Sequence, residues 1–157
     1  MTFIPQKHEE FIRKNQQVNE NELDSIQTSH LRINGMYWGL TTLALMNKIT
    51  DNDRETISEF VMKCYDKKHG GYGGNIGYDA HIYTTLSAIQ ILCLLNKREL
   101  IPVEEVSQFI KSCQLEDGSF VADKWGECDN RFVFCAVLAL KLINKLEVIN
   151  SLSKLDK

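Results

Sequence analysis

Apolar positions along the chain follow helical spacing, and two kinds of helix alternate. Residues 29–48 are apolar around most of the helix circumference, which is typical of a buried helix. Residues 51–67 instead carry their apolar side chains on one face. Those side chains are Ile57, Phe60, Val61 and Cys64. The pattern predicts a buried helix followed by an amphipathic one, with Thr50 or Asp51 as the cap of the second.

The same pair of helices recurs along the chain. Helices are predicted again at about 81–96, from Pro102 onward, and at about 130–145. The similar segments LALMNK, ILCLLNK and ALKLINK end at Lys48, Lys97 and Lys145, in steps of 49 and 48 residues. A repeat of this length, built from two helices and a turn, predicts stacked helical hairpins. We expect an all-α fold with units at 29–74, 81–122 and an incomplete third unit at 130–150.

The remaining segments carry weaker signals. Residues 1–28 are polar, with a short helix predicted around residues 8–14, and we expect residues 151–157 to be a tail. The glycine-rich loop 69–79 matches neither common phosphate-binding glycine motif, so helix termination and tight packing explain its glycines better.

Composition and charge exclude several classes of protein. The 157 residues are 43% hydrophobic and 25% charged, as in globular domains. A net charge of −3 argues against nucleic acid as the main partner. No run of about 18 apolar residues predicts a membrane span, and the first residues do not resemble a secretory signal. Four of the five cysteines lie in apolar helical patterns, which indicates buried thiols in a reducing, cytoplasmic compartment.

The candidate chemistry lies in residues 117–136. Asp117 and Gly118 form a turn dipeptide, and Asp129 or Asn130 can cap the following helix. Arg131 then lies in the first turn, where the helix dipole disfavours a cation. We therefore expect a nearby acid or an anionic ligand. The structural alternative is an ion pair, whose candidate partners are Asp129, Glu127 and Asp123.

Three blocks of sequence resemble a known family. LRINGMYWGL (31–40), NIGYDAHIYTTLSAIQIL (75–92) and LEDGSFVADKWGECDNRFVFCAVLAL (115–140) are similar to the first half of Rab geranylgeranyltransferase (protein geranylgeranyltransferase type II) β subunits. The resemblance implies an α/α toroid of six helical hairpins around a lipid-lined cavity, of which this chain would form about half. It also implies transfer of geranylgeranyl from its diphosphate to C-terminal cysteines of Rab GTPases. Such enzymes are heterodimers with an α subunit, a Rab escort protein presents the substrate, and zinc activates the acceptor thiolate.

The resemblance assigns roles to five residues. Trp38 and Phe134 match aromatic residues that line the lipid cavity, and Leu86 matches another wall residue. Asn34 stands where a small residue leaves room for the long isoprenoid. Arg131 matches an arginine of the cavity. The alternative for Trp38, Phe134 and Leu86 is an ordinary core position.

The zinc ligands that the resemblance implies, an Asp and a Cys close together and a later His, belong to the second half of the toroid. Cys128 and Asp129 imitate such a pair but align with a segment that does not bind metal. Cys64 and Cys113 are repeat-equivalent core positions, and His81 begins a helix. We therefore expect neither a metal site nor catalytic residues in this chain.

Two functions remain open at this point. The chain is either part of a transferase β subunit that is inactive alone, or a non-catalytic helical-repeat binding scaffold derived from the same family. In both cases we expect uncovered apolar helix faces, and therefore self-association or a partner.

Overall fold

The computed structural model describes residues 4–16 and 23–149. Within these residues it has seven α-helices: α1 (Pro5–Gln16), α2 (Leu23–Gln27), α3 (Arg32–Leu45), α4 (Asp51–Lys63), α5 (Ile82–Leu94), α6 (Val103–Ser112) and α7 (Asn130–Leu142). Short 3₁₀ turns occur at Ser29–Leu31, Arg98–Leu100 and Leu146–Val148. Two antiparallel strands of two residues each, β1 (Tyr65–Asp66) and β2 (Gly71–Tyr72), form the sheet.

The prediction of an all-α fold is confirmed, and the differences lie at the ends of helices. Helix α4 ends at Lys63 rather than at residue 67, because the chain turns there into the β1–β2 hairpin. Helix α1 is longer than the predicted 8–14. Part of the predicted solvated stretch 15–21 and the tail 151–157 lie outside the described residues. No helix within the described ranges combines the length and apolar character that a membrane span needs.

Three helices form an inner row in the order α3, α5, α7, with α5 in the middle. Each has an outer helix against it: α1 packs on α3, α4 on α5 and α6 on α7. Helix α5 is buried along most of its length, including Ile82, Leu86, Ile89 and Leu92. Each such side chain contributes about 1.5–3 kcal/mol relative to an exposed one. The middle helix therefore anchors the core.

Helix α3 departs from the prediction of a fully buried helix. Ile33, Leu40 and Leu43 are buried, but Trp38 is 60% exposed and Leu45 is 82% exposed. The reason is geometric, because α5 and α1 cover two sides of α3 and no other inner helix of the described chain packs on the remaining face.

Side chains cap the N-terminal ends of α4, α5 and α7. Thr50 and Asp53 form a capping box at α4, with the Thr50 hydroxyl accepting from the Asp53 N–H. Asp129 caps α7, as predicted. His81, predicted to begin a helix, caps α5, and its ring accepts from the N–H of Tyr83 at 3.1 Å.

The repeat is visible in the backbone at the C-terminal ends of the inner helices. Asn47, Asn96 and Asn144 follow α3, α5 and α7, and each has φ +56°. After each, a lysine N–H bonds to a leucine carbonyl five residues earlier, at 2.8–2.9 Å, which is the Schellman arrangement. Asparagine tolerates this left-handed conformation better than other residues that carry a Cβ.

Replacement of Asn96 by alanine tests this account of the helix ends. We expect Asn96→Ala to lower the free energy of unfolding by about 1 kcal/mol, because alanine is strained at positive φ. Asn96→Gly should stay within about 0.5 kcal/mol of the parent protein, because glycine adopts that conformation readily. Chemical denaturation followed by circular dichroism measures both.

Asn52→Ala, in the exposed first turn of α4, is the matched control. Equal stability of Asn96→Ala and Asn96→Gly would contradict the prediction. The left-handed backbone conformation would then not be the reason that asparagine occupies this position.

Candidate functional site

The three inner helices run parallel, so their N-terminal ends lie at one edge of the row. Between α3 and α5, Asn34 Nδ2 donates to Ser87 Oγ at 2.9 Å and Gln90 Nε2 donates to Tyr37 Oη at 3.0 Å, so both helices advance in the same direction. Between α5 and α7, the rings of His81 and Phe132 meet edge-on, 5.4 Å apart, at the beginning of both helices. The positive ends of three helix dipoles therefore share this edge.

Backbone hydrogen bonds hold the first turns of α3 and α5. The N–H of Ile33 donates to Gly74 O at 3.0 Å, and the N–H of Ile82 donates to Ala122 O at 2.8 Å. Helices α3 and α5 are thus each tied to the turn before the next inner helix. A side chain at Gly74 would overlap the carbonyl oxygen of His30, so the first of these contacts requires glycine.

Arg131 stands at this edge, on the exposed side of α7. Its Nε and its backbone N–H both donate to Asp129 Oδ1, at 2.9 and 2.8 Å. The side-chain hydrogen bond from Arg131 holds the pKa of Asp129 below its usual value and raises the pKa of Arg131. The predicted ion pair is confirmed with Asp129 as the partner. Because the Arg131 side chain is 73% exposed, its guanidinium also remains accessible to a ligand.

The five residues that the resemblance selected fall into two groups. Trp38 and Phe134 are 60% and 64% exposed, and Arg131 lies one helical turn before Phe134. Asn34 and Leu86 are buried, at 1% and 3% exposed. A role of these residues in lipid contact stays a prediction.

Two polar contacts between α3 and α5 were not expected from the sequence. Asn34 is bound to Ser87, as Tyr37 is to Gln90, and the carbonyl oxygen of the Asn34 amide is buried without a hydrogen-bond partner. The available signal was the polar Gln90 within the apolar run AIQIL. A cavity of about 360 Å³ lies beside the contact of Tyr37 with Gln90. Its walls are Tyr37, Thr41, Gln90, Cys93, Leu94, Arg98, Leu138 and Leu142.

The cysteines do not assemble into a thiolate site. Burial raises the pKa of Cys64 to about 12 and that of Cys113 to about 11, and it raises the pKa of Cys135. These thiols stay protonated at neutral pH and are poor nucleophiles and metal ligands. Cys128 is exposed. The carboxylate of Asp129, the other residue of the pair that imitates zinc ligands, is bound to Arg131 instead.

Another cluster has donor atoms of the kind that metals bind. Within the described residues, Asp66, His69 and Asp79 bring one such atom each to within 4.8 Å of one another. A cation is already present, because Lys124 Nζ lies 2.9 Å from Asp79 Oδ2. The cluster contains no cysteine. The zinc that the resemblance implies, held by Asp, Cys and His, therefore has no fitting set of ligands among the residues that the structure describes.

Comparisons with known proteins place these features in a family. The family model for the prenyltransferase alpha-alpha toroid domain matches residues 3–157. The geranylgeranyl transferase type-2 subunit beta of Saccharomyces cerevisiae is 36% identical over 149 residues, which cover 93% of this chain and 46% of that protein. The Candida albicans protein of the same name is 36% identical over 155 residues, which cover 92% of this chain and 45% of that protein. The chain thus spans about half the length of these relatives.

A solved structure supports the same fold. Candida albicans protein geranylgeranyltransferase-I complexed with GGPP superposes with a TM-score of 0.66 at 20% identity. The superposition covers 94% of this chain and 50% of that chain. At this identity the similarity concerns the fold alone.

The cap of α5 predicts a pH dependence of stability. Burial lowers the pKa of His81, against the opposing effect of Asp123 and Glu127. The unfolded chain then binds a proton at higher pH than the folded protein, so stability falls as the pH drops below the unfolded value of about 6.5. Protonation also removes the Nδ1 acceptor for the Tyr83 N–H.

The variant His81→Asn keeps a cap acceptor that does not titrate. We expect it to lose less stability than the parent protein when the pH is lowered from about 7.5 to about 5.5. Urea denaturation across that range measures the difference, with His30→Asn as the control for a histidine on the exposed 3₁₀ turn. Parallel pH profiles for the parent protein and His81→Asn would contradict the prediction.

Proposed function

Because the chain belongs to the prenyltransferase alpha-alpha toroid family, we propose that it is part of the β subunit of a protein geranylgeranyltransferase type II. The whole subunit would transfer geranylgeranyl from its diphosphate to C-terminal cysteines of Rab GTPases. In this proposal the chain contributes one half of the lipid cavity and is not active alone. The names of the relatives and the blocks 31–40, 75–92 and 115–140 support it.

The observation that carries the proposal is the arrangement of Arg131 and Phe134 on the exposed side of α7. Arg131 lies at the N-terminal end of the helix, where the dipole and the guanidinium both attract an anion. Phe134 is one turn further along and largely exposed. A cation followed by an aromatic surface suits a ligand with a diphosphate head and an isoprenoid tail.

The other predicted residues would shape the wall for the tail. Trp38 offers an exposed aromatic surface on α3, and Leu86 lies on α5 next to Ser87, which contacts α3. The Asn34 amide is held between the helices by Ser87. In the proposal the volume of the Asn34 side chain therefore limits the size of the cavity. Its amide nitrogen is already hydrogen-bonded to Ser87, so contact with the apolar tail does not bury that nitrogen without a partner.

The chemical part of the reaction lies outside this chain in the proposal. A cysteine attacks as the thiolate, and a zinc ion supplies that thiolate at neutral pH. We assign the zinc to other residues of the whole subunit, because the described residues lack a fitting set of ligands. The part of this chain is to bind the lipid, orient its diphosphate toward the helix N-termini and exclude water from the tail.

The partners follow from the same proposal. They are the prenyltransferase α subunit in a heterodimer, and a Rab GTPase presented by a Rab escort protein. We also propose a cytoplasmic location, supported by the buried reduced thiols of Cys64, Cys113 and Cys135.

A reconstitution experiment tests the proposal. The chain is combined with the α subunit, a C-terminal half taken from the Candida albicans type-2 β relative, escort protein, Rab, zinc and geranylgeranyl diphosphate, and lipid transfer to Rab is measured. We expect transfer only when both halves are present. Arg131→Gln should weaken binding of geranylgeranyl diphosphate roughly tenfold, because a charge-assisted hydrogen bond is lost.

Lys111→Gln, an exposed cation on α6, is the matched control and should leave transfer unchanged. Assembly of the two halves without lipid transfer would favour the non-catalytic scaffold. Transfer by this chain with the α subunit alone would contradict the division of roles proposed for the two halves.

A further inference from the structure

Helix α1 buries less than the other two outer helices. Helix α4 contributes Ile57 and Val61 to the core, and α6 contributes Phe109 and Ile110. Among the described side chains of α1 none is buried, and the half-buried ones share one face of the helix. We call this surface the docking face, because side chains from it contact α3 and the start of α4. Its residues are Pro5, Glu9, Ile12 and Arg13.

Charged groups of the docking face bind the chain where α3 ends and α4 begins. Arg13 Nη1 donates to Asp53 Oδ1 at 3.1 Å, and Arg13 Nη2 donates to the carbonyl oxygen of Lys48 at 3.0 Å. Glu9 Oε1 accepts from Arg13 Nε at 3.0 Å, and Glu9 Oε2 lies 3.4 Å from Lys48 Nζ. One arginine and one glutamate thus link α1 to both sides of the turn between α3 and α4.

The apolar contact of the docking face is small beside these charges. Ile12 packs at Gly39 of α3, where its Cγ2 lies 3.1 Å from the position that a Cβ of residue 39 would take. Ile12 itself is half-buried. Burial of apolar surface is the main favourable contribution to packing a helix on a core. Helix α1 therefore gains less from apolar packing than α4 and α6 do, and its ion pairs carry a larger share of its attachment.

The carboxylate that Arg13 binds has other hydrogen bonds of its own. Asp53 is 6% exposed, and its Oδ2 accepts from the backbone N–H and from the hydroxyl of Thr50, each at 2.8 Å. These bonds belong to the capping box of α4 and do not involve α1. Departure of Arg13 therefore leaves the Asp53 carboxylate hydrogen-bonded rather than buried without a partner. Helix α1 can be released while the cap of α4 stays intact.

We propose that α1 is an electrostatic strap, which opens as a unit while α3 to α7 stay folded, and that the ion pairs of Arg13 and Glu9 set how often it opens. A segment with few buried apolar contacts opens at a lower free energy than the core. Dissolved salt and competing charged groups control the strap, because they weaken the ion pairs. Opening uncovers the side of α3 at Gly39 and the turn between α3 and α4. The inference concerns motion and does not rest on the transferase activity.

Amide hydrogen exchange of the 157-residue chain at low and high salt tests the proposal. We expect the amides in the last two turns of α1 to exchange at least about fivefold faster at about 1 M than at about 0.05 M sodium chloride, because added ions screen the pairs. The amides of α4 and α5, which apolar burial protects, should change by less than about twofold. Exchange of α1 that does not respond to salt, or that occurs only together with that of α5, overturns the strap.

Two variants identify the ion pair that holds the strap. Arg13→Gln should speed the exchange of α1 at low salt at least about tenfold, because charge-assisted hydrogen bonds are lost. Asp53→Asn keeps an acceptor for Thr50 and should also speed the exchange of α1. The double variant should exchange no faster than Arg13→Gln alone, because both changes remove the same contact. Additive effects, or exchange of α1 that is the same in Arg13→Gln and in the parent protein, overturn the role of this pair.

Arg54→Gln is the matched control. Arg54 of α4 donates to the carbonyl oxygen of Leu95 at the end of α5, as Arg13 does to that of Lys48 at the end of α3. It removes one arginine from an equivalent place without touching the docking face, so the exchange of α1 should match that of the parent protein. Faster exchange of α1 in Arg54→Gln would mean that general loss of stability, and not the strap, explains the result. Circular dichroism verifies that each variant is folded.

Discussion

The burial of α5 is the constraint on which the rest of the structure depends. Nine of the 13 residues of this helix are buried, on nearly every side. A helix of that kind has no polar face for solvent and is stable only when neighbours cover its whole circumference. The neighbours are α3 and α7 on its two sides and α4 behind it. The inner row, with α5 in its middle, follows from this requirement.

Backbone hydrogen bonds, in addition to helix packing, hold the edge of the row at which the N-terminal ends of the inner helices lie. The bonds from Ile33 to Gly74 and from Ile82 to Ala122 repeat one step apart and tie α3 and α5 to the turn before the next inner helix. Lys124 and Asp79 add an ion pair between neighbouring turns. The candidate site at Arg131 follows the second of these turns, and its own side chain remains exposed. This combination suits a residue that binds a ligand.

Local patterns were enough to predict much of this arrangement. The period of 49 and 48 residues, the buried α5 and the cap at Asp129 could be predicted because each depends on spacing or on one turn of chain. The resemblance of the three sequence blocks to type-2 β subunits is confirmed by the relatives. The exposure of Trp38 could not be predicted, because burial depends on which helix lies alongside. The pairing of Tyr37 with Gln90 was missed for the same reason, since it joins residues 53 apart.

The central claim is that the burial of α5 organises the structure. Amide hydrogen exchange tests it most directly, because the protection of each amide reports the free energy of the opening that exposes it. The account predicts that the amides of α5 are the most strongly protected in the chain and exchange only when the whole structure unfolds. Exchange of the α5 amides at the rate of those of the outer helix α1 would contradict it.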